Sequence, residues 1–552
     1  MKRFFILLNT FLVMLLFQNC DQSTLQPREF EELKSLSNSV LDQPLGEISA
    51  DAVAATVAAR KVYYISPSGK DTNSGLSTSL PFKTFAKALS VAKCGSTLKL
   101  MDGVYGDAAK TGKIDLQSRN CGSEAQRFIV QALNQRKARI SDNGTGAAVL
   151  IESSSYITID GLVLNSTDNN YDPIPAVPDG YEKWGKPATA RDSHHIIFRN
   201  IVAYHPNRYG NHHLISYLRV QDSLIEDSEF YDFHRHGMSI GQSTRVYLRR
   251  NYCATSLGGI TGGYRNSSGR TVDYDGAGAC VSFYPCENCV AENIIADGSR
   301  GKLLHLAELN ASGQSPMLGS KILGSVAYKT RNNAIYINAR GLGVSYMPRN
   351  ITLENVVIYD NKDGYTGIKN QSAKNTVIKN VSVLYSGDGI KTIETLGSQY
   401  KNWGDGIFST TMTNTLSAFN SGVGLMIDDG IQTWSGTKVN SYNNGTNYLP
   451  ALPSKWKSAT SIDPKLGTCK VFIPSGSPMK KAGVNGADIG ANVLYRYQNG
   501  TLTNEPLWNR TTGEFPHGAL VAGINNIAGK SLFDVHKRLN VNTNGCKFPA
   551  GY

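Results

Sequence analysis

Through the middle of the chain, apolar residues recur in one motif: a short apolar alternation, a small polar residue or glycine, then a second apolar alternation. Ile157-Thr158-Ile159-Asp160-Gly161-Leu162-Val163-Leu164 shows it first. It returns as Ile197-Phe198-Arg199-Asn200-Ile201-Val202-Ala203, as Val290-Ala291-Glu292-Asn293-Ile294-Ile295 and as Val377-Ile378-Lys379-Asn380-Val381-Ser382-Val383. A period of two on either side of a break predicts strand, bend, strand. Copies separated by roughly 23 to 43 residues suit one coil per repeat, with loops of different length inserted. Asn200, Asn293, Asn355 and Asn380 share the break position with Gly161 and Gly324. That column calls for a backbone at positive φ, or for amides stacked from coil to coil. The expected fold is all-β, a single-stranded right-handed parallel β-helix over residues 61–470.

The flanks carry a different pattern. Met1-Lys2-Arg3 precedes an apolar run over residues 4–17, broken only by Asn9 and Thr10, and Cys20 follows shortly after. Charge and then a short apolar run read as a signal peptide over residues 1–20, too short for a membrane span. Cys20 stands where a lipoprotein peptidase would leave a new N-terminus, although Gln18 and Asn19 are not the small residues usual there. Residues 21–60 show no strand pattern and read as a tether. Residues 471–552, with Asp488-Ile489-Gly490-Ala491 near their start, resemble the exit segment of many exported β-helix proteins, which implies an irregular C-terminal cap closing the last coil.

Val62-Tyr63-Tyr64-Ile65-Ser66-Pro67 leads to Pro81-Phe82-Lys83-Thr84-Phe85, a short amphipathic stretch through Ala92, and Thr97 to Gly103-Val104-Tyr105. This series resembles the first module of the pectate-lyase-like superfamily of exported polysaccharide-lyase-like proteins. The resemblance implies a first strand, an N-terminal cap helix and a strand ending in Gly-x-Tyr.

Composition sharpens the picture in two respects. Among 552 residues there are 54 Gly and 27 Tyr against 18% charged, which suits many short strands and turns. There are nine cysteines. With Cys20 set aside as a lipid carrier, eight remain, an even set in an exported chain. Cys94 with Cys121 and Cys469 with Cys546 are the expected disulfides, and Cys253, Cys280, Cys286 and Cys289 are left to pair among themselves. Cys286-Glu287-Asn288-Cys289 has redox or zinc spacing, but no second pair accompanies it, so a structural role is the better account. The formal charge of +12 points to an anionic partner. No nucleic-acid motif accompanies that charge, and an acidic polysaccharide is the natural candidate.

Candidate chemistry concentrates between His194 and His305, where eight of the ten histidines lie among arginines and tyrosines. Tyr231-Asp232-Phe233-His234-Arg235-His236-Gly237 is the sharpest element, with Arg249-Arg250 one coil later. It resembles a pattern in a branch of exported β-helix proteins. β-Elimination in a uronate polymer needs a base at the α-proton, positive charge for the carboxylate-derived enolate, and an acid for the leaving oxygen. His234, Arg235, His236, Tyr231, Arg249, Lys302 and His305 supply those types, provided that successive coils bring them onto one lateral face. Calcium is the one cofactor suggested, at Asp428 and Asp429, whose Asp-Asp-Gly resembles a motif of one pectate lyase family. Gln432 departs from that motif, since it stands where the next carboxylate belongs. Two functions fit: a polysaccharide lyase on an acidic polysaccharide, or a non-catalytic glycan-binding or adhesive surface lipoprotein, held to a membrane by its lipid anchor.

Overall fold

In the computed structural model the described residues are 60–142, 147–166, 187–204, 213–231, 233, 235–254, 264–265, 271–272, 278–298, 302–307, 317–330, 332–338, 348–361, 364–393, 408–428, 433–451, 456–515, 533–541 and 546–552. The signal-peptide, lipidation and tether expectations for residues 1–59 therefore lie outside them.

The described residues form a parallel β-helix with three strand ladders per coil. One sheet holds 12 strands and a second holds 23. The larger sheet is two faces joined at a bend, because three long strands, Ala188–Arg199, His213–Glu226 and His236–Arg249, run through both. Their N-terminal halves belong to a first face that continues through Ala279–Glu287, Lys302–Ala307, Ile335–Asn338, Thr366–Gln371 and Asp388–Ile393. Their C-terminal halves belong to a second face that continues through Val290–Glu292, Lys321–Leu323, Thr352–Glu354 and Thr376–Lys379. The 12-stranded sheet is the third face.

Register explains the core. Val130, Ile159, Phe198, Ile225, Leu248, Ala291, Ile322, Leu353, Ile378 and Met412 are successive Cα partners. All are buried. A period of two puts one of every two residues inside, so each coil adds a layer to one apolar column.

The break column behaves as its composition requires. Gly161, Asn200, Asn293, Gly324, Asn355 and Asn380 all have φ between 51° and 73°. Asp227, Arg250, Asn414 and Lys438 adopt the same conformation. The asparagine amides do more than stack. Asn414 Oδ1 accepts from Val484 N at 2.8 Å, Asn380 Nδ2 donates to Asp488 O at 3.0 Å, Asn355 Oδ1 accepts from Asn492 N at 2.9 Å, and Asn293 Oδ1 accepts from Tyr497 N at 2.6 Å. The C-terminal segment thus descends along the bend between the second and third faces, coil by coil. This extends the expectation that the tail closes the last coil: its residues 484–500 run back along the flank.

Near the start, a helix over Phe85–Val91 is N-capped by Thr84 and packs Phe85, Ala88 and Leu89 inward. Tyr105, of the Gly-x-Tyr sequence, is buried and donates to the carbonyls of Ile65 and Met101. Disulfides join Cys94 to Cys121, Cys253 to Cys280, Cys286 to Cys289 and Cys469 to Cys546.

Candidate active site on the first face

His213 and His236 open adjacent strands of the first face and are Cα partners. Their ring centroids lie 4.9 Å apart. Tyr284 sits further along the next strand, Ala279–Glu287, and its phenol oxygen is 2.8 Å from His236 Nε2. Arg235, one residue before its strand, donates to that oxygen at 3.3 Å and holds its guanidinium 5.9 Å from the Tyr284 ring centroid. One phenol is thereby set between an imidazole that can take its proton and a guanidinium that can only donate. The hydrogen on the Tyr284–His236 line can be carried by either atom, so the pair is a route for a proton.

Beside this cluster runs a polar column. Ser216, Ser239, Ser282, His305, Tyr336, Lys369 and Lys391 are successive partners on the first face. Ser282 is buried, and among the described residues its hydroxyl has no hydrogen-bond partner.

The sequence candidates divide. Arg235 and His236 are brought together. Lys302 is the backbone partner of Ala279, itself the partner of His236, so it stands two strand spacings away, about 9.6 Å. His305 is the partner of Ser282. The side chains of Lys302 and His305, and the whole of His234, lie outside the described residues. Asp428 follows the strand Val423–Ile427 and donates its N–H to Thr392 O, while Asp429 also falls outside. Among the described residues no group of three or more His, Cys, Asp or Glu is arranged around a common metal position.

Tyr231 and Arg249 stand elsewhere. Tyr231 belongs to the third face, donates its hydroxyl to Glu229 and packs in the cluster that the C-terminal segment completes. Burial, reinforced by the Glu229 carboxylate, pushes its phenol far above the ordinary range. Arg249 lies 3.2 Å from the buried Glu292 carboxylate and donates to Asn499 Oδ1 at 2.6 Å. Glu292 in turn accepts the N–H groups of Asn499 and Gly500. Arg249 therefore fastens the tail, and the single lateral stripe expected from sequence is not formed by these two residues.

Several neighbouring arginines are accounted for in the same way. Arg219 pairs with Asp192, Arg245 with Asp222 and Arg250 with Asp227, each carboxylate one coil earlier. These pairs hold the bends together. His213 and Tyr284 are the residues that sequence reasoning did not single out. Both lay within the His and Tyr concentration, but only the strand register shows that residues 48 apart share a hydrogen bond.

No protein-family model matches the chain, and neither does any curated protein. Among solved structures, a lacto-N-biosidase from Eubacterium ramulus is similar at 12% identity and a TM-score of 0.41, covering 73% of this chain and 66% of that one. Pectate lyase Pel9A is similar at 12% identity and a TM-score of 0.37, covering 79% of this chain and 96% of that one. An α-1,3-glucanase from Streptomyces thermodiastaticus is similar at 10% identity and a TM-score of 0.38, covering 67% of this chain and 62% of that one. The match thus spans just under two thirds of the first and third of these proteins. The parallel β-helix itself stands on the strand ladders of this chain.

Proposed function

We propose that this chain is an exported carbohydrate-active β-helix protein that acts on an acidic polysaccharide by β-elimination, with Tyr284 as the proton-transfer group. The observation that carries the reading is the phenol oxygen held between His236 Nε2 and the Arg235 guanidinium. In the reaction, the Tyr284 oxygen takes the proton α to a uronate carboxylate as its own hydroxyl proton moves to His236. The carbon–hydrogen electron pair becomes the new double bond as the glycosidic carbon–oxygen bond breaks, the departing oxygen takes the abstracted proton from Tyr284, and His236 returns the hydroxyl proton to Tyr284. Arg235 offsets charge on the carboxylate-derived enolate. Lys302 and His305 stand on the following coil by backbone register, and their substitution belongs to the same test.

The test is incubation with a panel of uronate polymers while ultraviolet absorbance of the unsaturated product is followed. Tyr284→Phe should abolish product formation while the protein still binds polymer. Complete burial of His236 favours a second reading, a glycan-binding protein without turnover, in which the cluster supports the face. Polymer retention by the wild type, with no absorbance change on any polymer, would establish that reading in place of the first.

Export and lipidation of Cys20 belong to the same proposal. Their support is the pairing of the other eight cysteines into four disulfides, chemistry of an oxidising compartment.

A further inference from the structure

We propose that His194 and His195 form a two-imidazole chelate for a divalent transition cation, preferring Cu2+ to Zn2+, at a bend remote in function from the Tyr284 cluster. The two residues are neighbours in the strand Ala188–Arg199, where the chain turns from the first face to the second. His195 has φ of 56°, a left-handed conformation that side chains other than glycine seldom adopt. This turn swings its ring to the same side as that of His194, and the two Nδ1 atoms stand 2.8 Å apart.

That separation is informative. Imidazole nitrogens bind such ions at about 2.0–2.1 Å. Two ligands at a right angle on one ion are then about 2.8–3.0 Å apart, and two at the tetrahedral angle about 3.3–3.4 Å. The observed spacing matches the right-angled positions that tetragonal Cu2+ and Ni2+ prefer. In the hydrogen-bonded pair the two nitrogens face each other, so each ring turns by roughly 45° about χ2 for both lone pairs to meet on one ion.

Tyr156, one coil earlier, stacks on His195 with centroids 4.3 Å apart and an interplanar angle of 20°, and meets His194 edge-on at 5.7 Å. Arg127 donates to the His195 carbonyl at 2.7 Å, fixing the backbone behind the ring. The side chain of His194 is exposed and that of His195 half-buried, so an ion reaches them from solvent. Two protein nitrogens leave the remaining positions to water, which makes this an open site.

The alternative is that the two rings share a hydrogen bond and nothing more. Copper(II) chloride titration of the whole protein, read by visible absorbance and electron paramagnetic resonance, separates these accounts. Because the chain holds eight other histidines, the site is counted by difference. His194→Ala and His195→Ala should each lose one copper equivalent with nitrogen hyperfine structure, and excess Zn2+ should displace that equivalent poorly. Melting temperatures of both variants verify that they are folded. Equal copper stoichiometry and unchanged spectra in the wild type and both folded variants would overturn the proposal.

Discussion

Single residues in this fold are judged by what the neighbouring coil sets against them. Arg136 and Glu229 form an ion pair with both side chains wholly buried, and Tyr231 bonds the same carboxylate. Removing one partner of such a pair leaves an uncompensated charge and costs about 3–5 kcal/mol. Arg136→Met should therefore lower unfolding free energy by about that amount in denaturant titration, and Tyr231→Phe by about 1 kcal/mol. A catalytic Tyr231 would show the reverse, with turnover lost and stability kept. Asp71 offers a pH test. Its carboxylate accepts the Lys83 and Thr84 N–H groups and the Thr84 hydroxyl. Partial burial works against its charge, but those hydrogen bonds outweigh it and hold the carboxyl below the ordinary value. A depressed folded-state value means the stabilisation is full above the unfolded value, about 3.9, and fades as pH falls through the folded one. The melting-temperature gap between wild type and Asp71→Asn should be constant near neutrality and shrink below about pH 4.

At the scale of elements, the bend column was legible and its second use was not. Asn and Gly at a fixed break position announce positive φ, because that demand is local to the chain. That Asn293, Asn355, Asn380 and Asn414 would also hydrogen-bond a segment more than a hundred residues away in three cases has no local sign. The Arg-rich stretch misled for the same reason. Arg249 reads as a substrate ligand until Asn499 and Glu292 close over it, and its neighbour Arg250 is paired with Asp227. The disulfide framework was legible at its ends, since Cys94 and Cys121 have no nearer competitors in the sequence. Asn293 separates the two demands of the column. Its amide donates to Gly324 O at 2.9 Å and accepts from Tyr497 N. Asn293→Gly keeps the bend and loses the tail, and should cost about 1–3 kcal/mol for the stranded polar groups. Asn293→Ala should cost a further 1–2 kcal/mol, roughly, for a left-handed residue with a Cβ. Denaturant unfolding gives both values, and limited proteolysis should cut the C-terminal segment sooner in each variant.

For the whole molecule, the open question is what the net charge of +12 serves. Net charge draws any polyanion to a protein, whichever face bears the site. The structure narrows this, because Arg191, Arg199, Arg219, Arg245, Arg249 and Arg250 each lie within ion-pair distance of a carboxylate. Their contribution to the field is largely offset at short range. If recognition is by charge alone, retention on an immobilised polyuronate should vanish as the Debye length falls from about 10 Å at 0.1 M salt to about 3 Å at 1 M. Any surface lysine removed should then weaken retention alike. Recognition at the first face should instead single out a few positions. Arg235→Ala should lower retention or turnover at 0.1 M salt with little change in melting temperature. Arg250→Ala should do the reverse, lowering the melting temperature through its lost pairing with Asp227 and leaving retention intact. Lys369 and Lys391, in line with Ser282 further along the same column, should behave like Arg235, by a smaller factor for Lys391, which is already paired with Asp388 at 2.6 Å. Equal losses from Arg235→Ala and from a lysine variant on another face, such as Lys438→Ala, would show that the charge acts without a site.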